Sequence, residues 1–160
     1  LANVGDDDLE GANDAVKALA DYAQRTGAES AHLCGDLEAE FVTMEPEERS
    51  QFMEDFGFTE SGLSRLIHST FNLLGLQTYF TAGEKETRAW VIHKGDTAPV
   101  GAGVIHTDFA KKFIRAEVYQ FDELMEFRSE KAIKDAGKMR LEGKDYVLQD
   151  GDVCHFLIGN

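Results

Sequence analysis

Three observations in the 160-residue sequence predict an α+β chain made of two unlike pieces. In residues 1–76, short apolar runs alternate with stretches whose apolar positions recur at helical spacing, the pattern of a parallel α/β unit. In residues 77–160, alternating runs flank the turns Gly83-Glu84-Lys85-Glu86 and Asp150-Gly151-Asp152, the pattern of hairpins in a sheet. Charge divides the chain at the same place. Residues 1–76 hold sixteen acids against Lys17, Arg25, Arg49 and Arg65, while residues 77–160 hold fourteen acids against twelve bases. The first piece should repel nucleic acid, and only the second is electrostatically suited to meet it.

In the first piece, Leu1 to Val4 is the end of a buried strand and leads into the acidic turn Gly5 to Asp8. A helix follows, with Ala12, Ala15, Val16, Leu19, Ala20 and Ala23 at helical spacing, and Gly27 is placed to end it in the left-handed conformation. Ser30 to Cys34 is a second short strand, and Asp36 opens a second helix through Glu40. Strand, helix, strand, helix is the tail of a parallel α/β unit. Two helices then bridge the pieces. Pro46 suits a first helical turn, with Glu45, Glu47 and Glu48 near its positive end. From Ser61 to Leu74, Leu63, Leu66, Ile67, Thr70, Phe71 and Leu74 share one face.

In the second piece, Gln77 to Ala82 and Thr87 to His93 form the first hairpin. Thr97 to His106, with Pro99 near its start, is a crossover helix. Phe113 to Gln120 returns to strand, and Phe121 to Ala136 is mostly helical. Tyr146 to Leu148 and Val153 to Ile158 form a closing hairpin. Hairpin, helix, strand, helix, hairpin is the element order of a β-grasp, or ubiquitin-like, fold.

Composition excludes several classes. No run of about 18 apolar residues is long enough to span a bilayer, and no basic-then-apolar segment opens the chain. The chain starts at Leu1 rather than Met, directly on a strand end, which reads as a piece of something longer. Cys34 and Cys154 stand far apart, without metal-ligand spacing, as buried thiols of a cytoplasmic protein do. His32, His68, His93 and His155 fall on mostly apolar elements at unrelated spacings and are read as structural. His106-Thr107-Asp108 has no activated Ser or Cys nucleophile beside it, so no hydrolase site is assigned there.

Against a net charge of −14, the stretch GAGVIHTDFAKKFIRAEV packs His106, Lys111, Lys112 and Arg115 into ten residues. Lys138, Arg140 and Lys144 form a second cationic cluster. Two clusters on one small sheet make a phosphate-binding face. The alternative is a solvated rim in which Glu117, Glu142 and Asp145 neutralise the bases locally.

The segments LQTYFTAG, RAW, GVIHTDF, KKFIRAE, AGK-R-EGKDY and DGDV, in this order and spacing, resemble the TGS domain of the YchF-type Obg-like ATPase family. The first piece is similar to the end of that family's nucleotide-binding domain. The resemblance implies three parts: residues 1–44 as the end of a P-loop NTPase domain, 45–75 as bridging helices, and 76–160 as a TGS β-grasp domain. It implies a ribosome-associated ATPase or GTPase that uses ATP or GTP with Mg²⁺, docks on the ribosome or its RNA, and is cytoplasmic.

ANVGD falls at the family's base-recognition motif, usually Asn-x-x-Glu, and HLCGDLEAE at its last base-contacting loop. The resemblance therefore implies base contacts from Asn3, Val4, Asp6, Cys34 and Gly35. It implies RNA contacts from His106, Lys111, Lys112, Arg115, Lys138, Arg140 and Lys144. Here the motif reads Asn3-Val4-Gly5-Asp6, with a shortened carboxylate, and Asp6 to Asp8 also suit plain capping of the next helix. No Gly-x-x-x-x-Gly-Lys-Ser/Thr run is present, so phosphate and Mg²⁺ binding, and hence turnover, fall to parts outside this sequence. A different class of reading stays open: a self-standing ubiquitin-like protein-interaction module that binds no nucleotide.

Overall fold

The computed structural model describes residues 1–83 and 86–159, so Glu84 and Lys85 of the predicted first turn lie outside the described residues. The chain divides into two compact units, Leu1–Leu74 and Gly75–Asn160.

In the first unit, β1 (Ala2–Asn3) pairs in parallel with β2 (His32–Leu33), and between them runs α1 (Asp14–Thr26). Asn13 caps α1 through its side-chain oxygen, which accepts from Val16 N at 2.9 Å. Gly27 ends the helix at φ 68°, as its position in the sequence predicts. The strand predicted over residues 30–34 is shorter, because β1 offers only two residues to pair with and Cys34 already caps α2 (Gly35–Thr43). α3 (Pro46–Asp55) starts on its proline, and α4 (Gly62–Leu73) is capped by the Ser61 hydroxyl.

α4 closes over β2 through one glycine. Its Gly62 N–H donates to Glu38 Oε1 at 2.7 Å, and Arg65 Nη2 donates to His32 O at 3.3 Å. A Cβ at Gly62 would lie 2.5 Å from Leu33 Cβ and 2.9 Å from Glu38 Oε1. Overpacking of this kind destabilises by about 1–3 kcal/mol. Gly62→Ala is therefore expected to lower the chemical-denaturation midpoint of the first unit, followed by circular dichroism. Gly143→Ala, whose Cβ meets open space, is the control. Equal midpoints for the two variants would mean that α4 is free to shift off β2.

The second unit opens with the hairpin of β3 (Leu76–Ala82) and β4 (Thr87–His93). Then come α5 (Ala98–Ile105), α6 (Thr107–Lys112), β5 (Phe113–Gln120), α7 (Phe121–Phe127), α8 (Glu130–Asp135), β6 (Arg140–Glu142) and β7 (Asp152–Ile158). The five strands form one mixed sheet in the order β4-β3-β7-β5-β6, with β3 and β7 as its parallel pair. α5 lies on one face, where Tyr79, Ile92, Ala98, Ala102, Phe113, Ala116, Val118, Leu148 and Cys154 form the main core. Side chains alternate across a strand. Tyr119 and Val153 accordingly face the other way and pack with Ile133, Phe80, Leu124 and Phe127 under α7 and α8. The architecture is α+β with a mixed sheet, and no helix among the described residues is long and apolar enough to cross a membrane.

Three expectations for this unit are corrected. The helix predicted over 121–136 breaks in two at Arg128, whose φ of 62° is left-handed. The link between the crossover helix and the Phe113–Gln120 strand, expected as a connecting loop, is the short helix α6, with His106 as its N-cap. The closing hairpin does not form: residues 146–148 run past the start of α5 and make only an isolated bridge, Val147 to Thr97. Their backbone groups bond there, Ala98 N to Tyr146 O at 2.8 Å and Leu148 N to Asp96 O at 3.0 Å. β6 instead takes the edge beside β5.

Candidate functional site

The carboxyl ends of the two parallel strands of the first unit meet at one point, the usual location for ligands in such sheets. Val4 N donates to Leu33 O at 2.9 Å, and Val4 and Cys34 are buried. Beyond them the Asn3 side chain clasps the two loops: its Oδ1 accepts from Gly35 N at 2.9 Å. A Cβ at Gly35 would come to 3.2 Å from that oxygen, so the close approach favours glycine. With Oδ1 engaged, the amide N–H₂ of Asn3 remains as the group that can donate to a ligand.

Asp6 opens the 3₁₀ turn Asp6–Asp8 and is exposed. Capping of the next helix, the plain role considered for all three aspartates, falls to Asn13, and Asp8 holds the turn that leads into it. Its Oδ1 accepts from Ala12 N at 2.7 Å, and its Oδ2 accepts from Asn13 N at 3.2 Å and Asn13 Nδ2 at 2.6 Å. The Ala12 N–H, first among these donors, holds the Asp8 carboxyl below its ordinary range. Because the value is lowered in the fold, the stability from these bonds is fully present above that ordinary range and is lost as pH falls through the lowered value. Among the described residues, nothing donates to the Asp6 carboxylate.

In the second unit the cationic residues sort into two kinds. His106 is structural: its Nδ1 accepts from Asp108 N at 3.2 Å to cap α6, and its ring stands 5.6 Å from Phe109. Arg140 points inward, with Nη2 donating to Asp152 Oδ1 at 3.1 Å and its guanidinium 5.5 Å from the Tyr146 ring. Lys111 and Lys112 lie in the last turn of α6, where positive charge suits the helix dipole. Arg115 is exposed on β5, opposite Leu157 of β7. Lys138 and Lys144 are exposed on either side of β6.

The local neutralisation of the solvated-rim alternative is not seen at the other five bases. Among the described residues, no carboxylate lies within ion-pair distance of Lys111, Lys112, Arg115, Lys138 or Lys144. Glu117, one of the proposed neutralisers, pairs with Lys134 at 3.9 Å instead. Nor do the described residues include a group of three His, Cys, Asp or Glu side chains placed to hold a metal ion.

A family profile, YchF-GTPase_C, described as a protein of unknown function (DUF933), matches residues 76–159. The chain belongs to the YchF family. It is 50% identical over 156 residues to the ribosome-binding ATPase YchF of Haemophilus ducreyi, covering 98% of this chain and 43% of that protein. The Bacillus subtilis ribosome-binding ATPase YchF is 47% identical over 158 residues, with the same coverage of 98% and 43%. The solved YchF GTPase of Schizosaccharomyces pombe superposes with a TM-score of 0.80 at 32% identity, over 97% of this chain and 42% of that one. A GTP binding protein from Pyrococcus horikoshii OT3 shares the fold, with a TM-score of 0.62 at 20% identity over 94% of this chain and 44% of that one. The chain thus spans less than half the length of these relatives.

In this YchF-family chain, reading the sequence missed two features of the second unit. Asp152 is fully buried at the centre of a hydrogen-bonded cluster with Gln120, Arg140, Tyr146 and Gln149. Only its place in a Gly-Asp turn hinted at this, and such turns usually face solvent. His155, assigned to an apolar element, is exposed, as are His68 and His93. The alternation Val153, Cys154, His155, Phe156, Leu157 carried that signal, because it puts His155 on the face opposite Cys154.

Proposed function

We propose that this chain supplies the base-recognition end of a YchF-type nucleotide-binding protein together with a TGS β-grasp domain that docks on ribosomal RNA. On this reading, residues 1–44 are the end of the nucleotide-binding domain, 45–75 the bridging helices and 76–160 the TGS domain, in a cytoplasmic protein. Support for the β-grasp comes from the sheet order β4-β3-β7-β5-β6 with α5 across one face. Support for base recognition comes from the Asn3–Gly35 clasp, which binds the two loops and leaves the amide donors facing outward. The fold is completed by the remaining part of the nucleotide-binding domain. That part would also hold ATP or GTP phosphates and Mg²⁺, for which these residues supply no cradle.

The observation that carries ribosome docking is the set of five bases without carboxylate partners, in a chain of net charge −14. An acidic protein that leaves Lys111, Lys112, Arg115, Lys138 and Lys144 without carboxylate partners on one unit has the electrostatics to hold phosphate there. His106 and Arg140, first grouped with them, cap α6 and pair with the buried Asp152. The names of the bacterial relatives, ribosome-binding ATPases, agree with this reading.

Binding of the chain to ribosomal RNA fragments, titrated at several salt concentrations, tests it. Affinity should fall steeply with salt. Changing Lys111, Lys112 and Arg115 to Glu should abolish it, or flatten the log–log slope by roughly one for each phosphate no longer neutralised. Unchanged binding in the folded triple variant would return these residues to the solvated-rim reading.

A further inference from the structure

The cations on the open face of the second unit's sheet have aliphatic neighbours that phosphate does not explain. In register, Arg115 stands opposite Leu157, and Glu117 stands opposite both His155 and Leu141. These side chains share the face turned away from α5. α7 and α8 cover that face only over Phe80, Tyr119 and Val153. Beyond them Leu157 is 37% exposed and Leu141 54%, and Ile114, at the register shift beside Arg115, is 53%.

Two properties of this patch point to its occupant. Its charge is positive, because Lys134 neutralises Glu117 and leaves Arg115 without a partner among the described residues. Its apolar part is aliphatic. Single-stranded nucleic acid stacks its bases on aromatic rings, and the aromatic side chains Phe80 and Tyr119 of this face lie under α7 and α8. Exposed leucine and isoleucine around an arginine are matched by a surface that offers aliphatic side chains and carboxylates.

We propose that the open sheet face docks an acidic, aliphatic protein segment, with leucine-type side chains against Ile114, Leu141 and Leu157 and a carboxylate on Arg115. The proposal goes beyond the RNA reading and shares only Arg115 with it, since the lysines of α6 and of the β6 flanks lie outside this patch.

The test titrates the whole chain into a fluorescently labelled helical peptide of Leu and Glu, read by anisotropy. A Leu/Lys peptide and oligoglutamate of the same length serve as comparisons. The Leu/Glu peptide should bind more tightly than either by about tenfold or more, as when interface anchors are engaged. Leu141→Ser with Leu157→Ser should remove that advantage, and Ile114→Ser alone should reduce it, while RNA affinity stays unchanged. Arg115→Ala should weaken binding and its salt dependence. Fluorescence of the single Trp90 checks that each variant is folded.

Equal binding of oligoglutamate, or peptide affinity untouched by the leucine variants, overturns the proposal. A parallel loss of RNA affinity in the leucine variants assigns the face to RNA and overturns it too. So does a self-association seen by sedimentation that the same variants abolish while no peptide binds.

Discussion

Asp152→Ala is expected to destabilise the second unit by about 2–4 kcal/mol, because a fully buried charged acceptor shared by four donors is lost. The carboxylate has no exposed surface, and four donors fill its acceptor sites. Oδ1 accepts from Gln120 Nε2 and from Arg140 Nη2 at 3.1 Å. Oδ2 accepts from the Tyr146 hydroxyl and from Gln149 N, each at 2.8 Å. Removing it takes the shared acceptor from three side-chain donors and a backbone N–H at once, of which Arg140, with its side chain 40% exposed, has ready access to water. The cluster also joins parts far apart in sequence: the end of β5, the edge strand β6, the segment 146–149 and the start of β7.

Asp152→Asn keeps the shape but loses the charge and turns an amide N–H₂ toward donors, so an intermediate loss is expected. Urea denaturation followed by Trp90 fluorescence reads this unit specifically, because the chain has one tryptophan and it lies on β4. A loss in Asp152→Ala no greater than about 1 kcal/mol, the range of an exposed ion pair, would show that the cluster is solvated in solution.

The second large effect concerns nucleotide choice. In a full-length protein carrying this motif, Asp6→Ala is expected to weaken GTP more than ATP. Loss of a hydrogen-bonded charged acceptor removes about 1.5–3 kcal/mol, more than about tenfold in affinity at the middle of that range. Guanine offers donors at N1 and the exocyclic N2, whereas adenine offers none at N1 or C2, so at that edge of the base only guanine has something for a carboxylate to accept. The structure leaves Asp6 free for this role, because Asn13 caps α1 and Asp8 is the aspartate that holds the turn before it.

Asn3→Ala is expected to weaken both nucleotides. It removes the amide that pairs with either purine and also the clasp on Gly35. Calorimetric titration of both nucleotides against wild type and the two variants separates these outcomes. Equal losses of ATP and GTP in Asp6→Ala would place base choice elsewhere.

Much of the fold was legible because it rests on local signals. The Gly27 stop, the Pro46 start, the Thr87–His93 strand and the Phe113–Gln120 strand all coincide with their sequence signals. Each depends on backbone preference or on side-chain periodicity within a few residues. The break at Arg128 was not legible, since a left-handed arginine leaves no compositional mark. The closing hairpin was misread for a related reason. Residues 146–148 have strand composition, but the start of α5 takes their hydrogen bonds. The site divides along the same line. That Asn3 and Gly35 belong together was readable only through family resemblance, whereas the bond between them spans 32 positions.

By itself, the sequence determined the α+β character, the division of charge between the two pieces and most element boundaries, because composition and period are properties of neighbouring residues. Only the tertiary structure decided which charges are available. Arg140, Lys111 and Lys112 look alike in the sequence, but Arg140 is drawn inward by the buried Asp152, while the two lysines end a surface helix with no carboxylate at ion-pair distance among the described residues. Asp6 and Asp8 likewise differ only by which backbone N–H groups the following turn brings to them. Coulomb and hydrogen-bond energies fall off over a few ångströms, so a residue's charge can be read from sequence, but its partner only from the fold.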